Sequence, residues 1–247
     1  MKEKTKKLVE AFGFLKMDEA QLLMEAADSL ATGSIVVNVG AGAGTSALAI
    51  IEQRPDLAVT FYTVDMRDDD NPFGGMLNEL HAFQNAKMEH LLPNQIKGDS
   101  STVGNEWDKG EIAFLIIDAD HTTDGLTKDI QSWLPHLAIG GLVALHDYKR
   151  DVWPDVAAVI DNTLMKDANY EYIETRDTMV LFRKLEPQPL QMPEPGQESI
   201  YRKADERTAN IEPEQVQEET ATEEVAEKKV SKRRKNTKAV DEESAKE

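Results

Sequence analysis

The chain has 247 residues and a mass of 27.6 kDa, with 28 Lys and Arg against 46 Asp and Glu, a formal net charge of −18 and a pI near 4.7. That balance argues against general binding to a phosphate backbone, which needs Lys and Arg to displace counterions, although it leaves room for a local basic patch; nucleic acid is not an expected partner. The absence of cysteine excludes disulfides, thiolate zinc sites and a cysteine nucleophile. The best apolar stretch, 138–145, falls far short of a bilayer span. The basic N-terminal residues are followed by neither an apolar core nor a small-residue cleavage site. No membrane partner and a cytoplasmic location are expected.

Residues 1–33 read as N-terminal helices. Leu22, Leu23, Ala26, Ala27 and Leu30 recur at helical spacing, Asp18 stands where it can cap, and Gly33-Ser34 ends the pattern. Strand-like and helix-like segments then alternate. Residues 35–39 (IVVNV) form a first strand, and AGAGTSALAIIEQ turns into a helix. Residues 59–64 are the second strand, 73–92 a long helix and 95–97 a short third strand. Residues 112–117 (IAFLII) are a fully apolar fourth strand. Residues 123–137 make an amphipathic helix closed by Gly140-Gly141, and 142–146 are the fifth strand. Pro154 opens a helix to about residue 166, and strands at 170–174 and 179–184 are joined by a tight Arg176-Asp177 turn. Trp133 and Trp153 read as packing residues on helix faces.

Strands that are apolar throughout and separated by helices form a parallel sheet covered on both faces. A connection of two or three residues joins only antiparallel strands. The predicted fold is therefore α/β: a doubly wound, Rossmann-like, seven-stranded and mostly parallel sheet with an antiparallel last strand, spanning 34–186. Beyond it the composition changes. From Glu186 onward there are 16 acidic and 11 basic residues, five prolines, a single Tyr201 and no Phe or Trp. So few apolar residues cannot offset the entropy of ordering, and 187–247 is expected to be a disordered charged tail. Its basic cluster at 228–238 reads first as a solvated charge run. Recruitment of an unknown protein partner is the role left open for the tail.

Ligands in such sheets bind beyond the carboxyl ends of the strands. At the first end, Gly40, Gly42 and Gly44 let backbone amides approach a ligand closely, ahead of a helix N-terminus that suits an anionic group. They equally fit a tight turn before a packed helix. A dinucleotide fingerprint wants its third glycine where Thr45 stands. Asp65 ends the second strand and can accept from both hydroxyls of a ribose, or cap a helix. Asp99, followed by Ser100, can accept from an adenine amino group or serve a turn. The fourth and fifth strands end in Asp118-Ala119-Asp120-His121 and His146-Asp147-Tyr148. Side by side, these place Asp118, Asp147 and two imidazoles around one crevice, a donor set that suits Mg²⁺ or Mn²⁺ better than Zn²⁺. Lys149 and Arg150 follow, either solvated or facing an acidic substrate.

In order, VVNVGAGAGTSALAI, FYTVD, KGDS and FLIIDADHTTDGLTKDIQSWLPHLAIGGLVALHDY resemble the class I S-adenosylmethionine-dependent methyltransferases. More narrowly they resemble the small-molecule O-methyltransferase branch whose fourth strand ends in Asp-x-Asp-His and whose fifth ends in His-Asp. The likeness runs from Ile35 to Tyr148, and the tail has no counterpart. It implies S-adenosylmethionine as cofactor, with Gly40, Gly42 and Gly44 along its methionine part, Asp65 at its ribose, Asp99 and Ser100 near its adenine, and Asp118 beside it. It also implies a divalent cation at Asp118 and Asp147, with His146 as a further ligand, His121 as base, and a small-molecule hydroxyl as acceptor. One position departs: the family carries Glu or Asp two residues before the first glycine, where this chain has Asn38. Asn38 keeps a hydrogen-bonding side chain in the cofactor site without its charge. A non-catalytic binding or assembly protein on a methyltransferase scaffold is the alternative. NAD-dependent oxidoreduction fits Asp65 but not Thr45.

Overall fold

The computed structural model describes residues 1–12, 14–66 and 76–187. The tail expected from 187 lies, beyond that residue, outside the described residues, as do residues 67–75, among them the first three of the helix expected at 73–92. Two helices lead, α1 (Glu3–Phe12) and α2 (Met17–Asp28). The strands are β1 (Ile35–Val39), β2 (Phe61–Asp65), β3 (Asn94–Lys97), β4 (Ile112–Ile117), β5 (Leu137–Leu145), β6 (Tyr170–Arg176) and β7 (Met179–Lys184). Between them run α3 (Thr45–Gln53), α4 (Met76–Ala86), α5 (Ser100–Asn105), α6 (Thr123–Trp133) and α7 (Pro154–Asn162). The strands make one sheet in the order β3-β2-β1-β4-β5-β7-β6. β1 to β5 pair in parallel, whereas β7 runs against both β5 and β6. This is the Rossmann-like seven-stranded sheet that the alternation of segments predicts.

The apolar strands are explained by burial on both faces. Alternate residues Val36, Phe114, Ala144 and Leu181 pack with α2 and α3 in one apolar layer. Val37, Val39, Leu115, Ile117, Val143 and Phe182 pack with α6 and α7 in the other. Trp133 is fully buried in that second layer, against Trp107, which in turn meets Tyr62 edge-on.

Several boundaries differ from the sequence pattern, each for a local reason. Pro55 opens a 3-10 turn through Thr60, so β2 begins at Phe61 and Val59 is left exposed. Helix α4 stops at Ala86 because Lys87 adopts a left-handed conformation, φ 59°. Pro135 lacks the amide that would continue α6, and a 3-10 turn at Leu134–His136 replaces its last turn. Gly140, expected to close that helix, lies inside β5 at φ 78°, where the pairing with β4 shifts register. Helix α7 ends at Asn162, short of the predicted 166. Helix α5 carries no apolar stripe and was not predicted.

Candidate functional site

The strand ends facing the site are stitched together by backbone hydrogen bonds beyond the ladder. The Gly40 amide donates to the Val64 carbonyl (2.8 Å), Gly98 to Asp65 (3.0 Å), Asp118 to Val39 (2.8 Å) and His146 to Ile117 (3.1 Å). One continuous rim therefore carries the glycine loop, Asp65, Asp118 and His146. Gly40 sits at φ 80°, and a Cβ there would lie 1.9 Å from the Asp118 carbonyl oxygen. That close approach admits only glycine. Gly44, at φ 77°, precedes α3, and a Cβ there would lie 2.6 Å from Glu79 Cγ. The Gly42 amide donates to Asp65 Oδ2 at 2.9 Å, so the β2 carboxylate holds the loop in shape.

Asn38, the penultimate residue of β1, is buried, and its Oδ1 has no hydrogen-bond partner among the described residues. A buried amide oxygen left in this way is costly and is an acceptor available to a ligand. Asp99 caps α5. Its Oδ1 accepts from the Thr102 amide and hydroxyl and from the Ser101 hydroxyl, bonds that hold its carboxyl below the usual range. The Ser100 hydroxyl donates to Asp129 on α6. Burial raises the Asp129 carboxyl to about 6 against that hydrogen bond. Sequence reasoning did not single out Asp129, which reads locally as an ordinary polar position of an amphipathic helix.

The ends of β4 and β5 bring Asp118, His121 and Asp147 together, with one ligand atom from each within 4.8 Å of the others. His121 Nε2 is 2.8 Å from Asp147 Oδ2 and 3.7 Å from Asp118 Oδ1. The side chain is half-buried, with its Nε2 turned inward toward the two carboxylates. Asp118 and then Asp147 raise the imidazole to about 9, against the opposing effect of burial. Asp147 itself sits at φ 57° and accepts from Arg150 Nη1 at 2.7 Å. Burial would raise its carboxyl, but His121 and Arg150 outweigh it and hold the group at about 2. Arg150 is thus paired with Asp147 while about half of its own side chain stays exposed.

His146 lies beneath this trio. Its Nδ1 is 3.1 Å from Asp118 Oδ1 and its Nε2 is 3.1 Å from Glu19 Oε2. Burial lowers its pKa, yet the Asp118 and Glu19 carboxylates prevail and raise it well above the usual value. Both His146 nitrogens are engaged in this way, and the group of possible ligand atoms at these strand ends is Asp118, His121 and Asp147 rather than one that includes His146. Glu19 was not foreseen. Its only local signal is its spacing from Lys16, whose amide it accepts at 2.8 Å, and that explains the start of a helix rather than a contact across the fold. Trp153, expected to pack on α7, instead precedes that helix and stacks on the His121 ring at 4.7 Å between centroids and 21° between planes.

Residues 37–148 match a protein-family model described as a methyltransferase domain. The matched segment holds every strand end described above. The O-methyltransferase NovP superposes with a TM-score of 0.58 at 14% identity, over 69% of this chain and 81% of that one. The SAH-bound methyltransferase PaMTH1 of Podospora anserina gives 0.56 at 16%, over 75% and 89%. MycE from the mycinamycin biosynthetic pathway, in complex with Mg, SAH and mycinamycin VI, gives 0.55 at 16%, over 78% of this chain and 57% of its own. At these identities the likeness is one of fold: the sheet is the Rossmann-like sheet of methyltransferases. No helix among the described residues is long and apolar enough to cross a membrane.

Proposed function

We propose that this protein transfers a methyl group from S-adenosylmethionine to a hydroxyl of a small-molecule acceptor. The observation that carries the reading is the single rim on which a glycine loop tied to Asp65 stands beside the Asp118, His121 and Asp147 cluster. The cofactor fits what the chain leaves open: Asn38 Oδ1 is a buried acceptor without a partner among the described residues for an ammonium group, and Asp65, at the end of β2 on the same rim, would accept from the ribose hydroxyls. Bound there, S-adenosylmethionine supplies an electrophilic methyl group and leaves as S-adenosylhomocysteine.

Two carboxylates and an imidazole within 4.8 Å also fit a hard divalent cation. Held by Asp118 and Asp147, Mg²⁺ or Mn²⁺ would lower the pKa of an acceptor hydroxyl. His121, whose Nε2 lies 2.8 Å from Asp147 Oδ2, would serve as the base that accepts the hydroxyl proton once that contact opens. The acceptor oxygen would then take the methyl group as its bond to the cofactor's sulfur broke, a transfer the protein would help chiefly by positioning. Because Asp118 and Asp147 keep His121 protonated at neutral pH, proton transfer is favoured at alkaline pH or when a cation draws the carboxylates away.

Calorimetric titration with S-adenosylhomocysteine, on the wild type and Asp65→Ala, tests the reading. Micromolar binding lost in the variant supports it. No binding to a folded wild type would favour the second reading, a non-catalytic binding or assembly protein, which the uncharged Asn38 at the carboxylate position supports. The tail at 187–247 is proposed as a protein-recruiting segment, tested by comparing pull-downs of the full chain with those of a chain lacking it.

A further inference from the structure

A buried carboxylate that is neither ion-paired nor fully hydrogen-bonded needs a reason. Asp129, on the buried face of α6, is 1% exposed. Among the described residues one donor reaches its carboxylate, the Ser100 hydroxyl at Oδ1, and Oδ2 has no hydrogen-bond partner. Asp99 and Asp120 lie near enough to oppose its charge. With its carboxyl raised to about 6 by burial, the ionised group costs the fold stability at neutral pH. A residue that weakens the fold in this way is where a function is to be sought.

What Asp129 holds is the first residue of α5. Three further contacts clamp α5 against α6 and the turn after it. Trp133 Nε1 donates to the Ser100 carbonyl at 3.1 Å, and His136 Nε2 lies 2.8 Å from the Gly104 carbonyl. Gly104 passes so close to Ser132 that a Cβ would lie 2.7 Å from its Oγ. Ser100 is therefore fixed against Asp129, yet it stays partly exposed. It stands two residues beyond Gly98, whose amide donates to the Asp65 carbonyl. A ribose held by Asp65 would carry its base toward this adjoining end of β3.

A serine hydroxyl has one proton to donate and lone pairs that accept. An ionised carboxylate only accepts, so the Ser100 proton is committed to Asp129, and Ser100 Oγ offers a ligand lone pairs alone. The neighbouring Asp99 Oδ1 is already taken by the Thr102 amide and hydroxyl and the Ser101 hydroxyl. The 6-amino group of adenine is a donor and matches such an acceptor. The 6-oxo group of hypoxanthine is itself an acceptor, and would face the Ser100 lone pairs with no proton between them.

We propose that Asp129 is a positioning residue that fixes the polarity of Ser100 Oγ, so that the nucleoside site selects a 6-amino purine over a 6-oxo purine. This rests on the methyl-transfer reading, which puts a nucleoside at Asp65. Full-length wild type, Asp129→Asn, Ser100→Ala, Ser100→Thr and Asp99→Asn are titrated by calorimetry with two pairs of probes. One pair is S-adenosylhomocysteine and S-inosylhomocysteine, and the other is adenosine and inosine. The wild type should bind the 6-amino member of each pair at least about tenfold more tightly. An asparagine offers Ser100 either a carbonyl or an amino group, which lets the hydroxyl turn both ways. Asp129→Asn should therefore lose most of the preference while its Tm at pH 8 stays at or above that of the wild type, which separates lost selectivity from a lost fold. Ser100→Ala should lose the preference too, and Ser100→Thr, which keeps the hydroxyl, should retain it. No preference in the wild type, an unchanged preference in Asp129→Asn, or a preference that needs Asp99 but not Ser100 would overturn the proposal. A preference for adenosine over inosine that depends on Asp129, in a protein that takes up no S-adenosylhomocysteine, would keep the role of Asp129 and overturn methyl transfer instead.

Discussion

Glu19 and His146, 127 residues apart in the chain, meet with carboxylate and Nε2 at 3.1 Å and almost none of either side chain exposed. The other Glu19 oxygen accepts from the Thr178 amide (3.0 Å) and hydroxyl (2.7 Å). One carboxylate thus joins α2, the end of β5 and the turn between β6 and β7. Burial alone would raise Glu19, but His146 outweighs it and holds the group at about 2. A carboxyl lowered from its usual 4.5 stabilises the fold fully above that pH, and the stabilisation is lost as pH falls toward 2.

Glu19→Gln leaves His146 charged against Asp118 at 3.1 Å and Asp147 at 3.7 Å, with the Nε2 side no longer facing a carboxylate. Removing one partner of a buried pair costs about 3–5 kcal/mol. Urea unfolding at pH 7 should show that loss, and the double variant Glu19→Gln/His146→Gln should recover part of it. A loss below about 1 kcal/mol would contradict the buried pairing.

His121 should titrate near pH 9, well above an ordinary imidazole at about 6.5. Its ring-proton resonance, assigned by its disappearance in His121→Gln, gives the midpoint by NMR. Asp147→Asn should move that midpoint downward. Because the folded value is raised, the associated stabilisation is complete below about 6.5 and disappears as pH rises through about 9. A midpoint near 6.5 in the wild type would show that the two carboxylates do not act on this ring.

Asp129 runs the other way. Its carboxyl is raised to about 6 by burial, so the native state binds its proton more tightly than the unfolded chain does. Its ionisation costs stability as pH rises from 3.8 to about 6, and the cost persists above that range. The difference in Tm between Asp129→Asn and wild type should therefore be more favourable to the variant at pH 8 than at pH 5. An equal difference at both pH values would refute the shift.

Gly40→Ala combines a left-handed alanine, worth about 1–2 kcal/mol, with a methyl group driven onto the Asp118 carbonyl. Gly140→Ala imposes a similar φ but meets nothing within 4 Å. The first should lower Tm strongly and abolish S-adenosylhomocysteine binding. The second should cost about 1 kcal/mol and leave binding intact, and thermal unfolding with calorimetry separates the two.

Much of this architecture is legible in the chain because strands buried on both faces write continuous apolar runs such as IAFLII. Strand ends then locate Asp65, Asp118 and Asp147 without further information. What the pattern hides is whatever depends on distant partners. Asp99 looks the same whether it caps α5 or faces a ligand. Gly140-Gly141 looks like a helix stop although it is an irregularity within β5. The exposure of Trp153 is set by how the β5–α7 connection folds back onto His121, and an apolar periodicity cannot distinguish that from burial. Glu19 is invisible for the same reason, since nothing near it in sequence signals His146 or Thr178.

The turn at Thr178 has a consequence for how the protein is made. Synthesis proceeds from the N-terminus, so Gly40, Asp65 and Asp118 all emerge well before residue 178. A chain arrested short of that turn would carry the glycine loop, yet Glu19 would lack two of its four donors and β5 would present a bare edge where β7 belongs. The closing hairpin thus both covers the β5 edge and supplies the last two donors of the carboxylate beneath His146, so an unfinished copy would lack both at once.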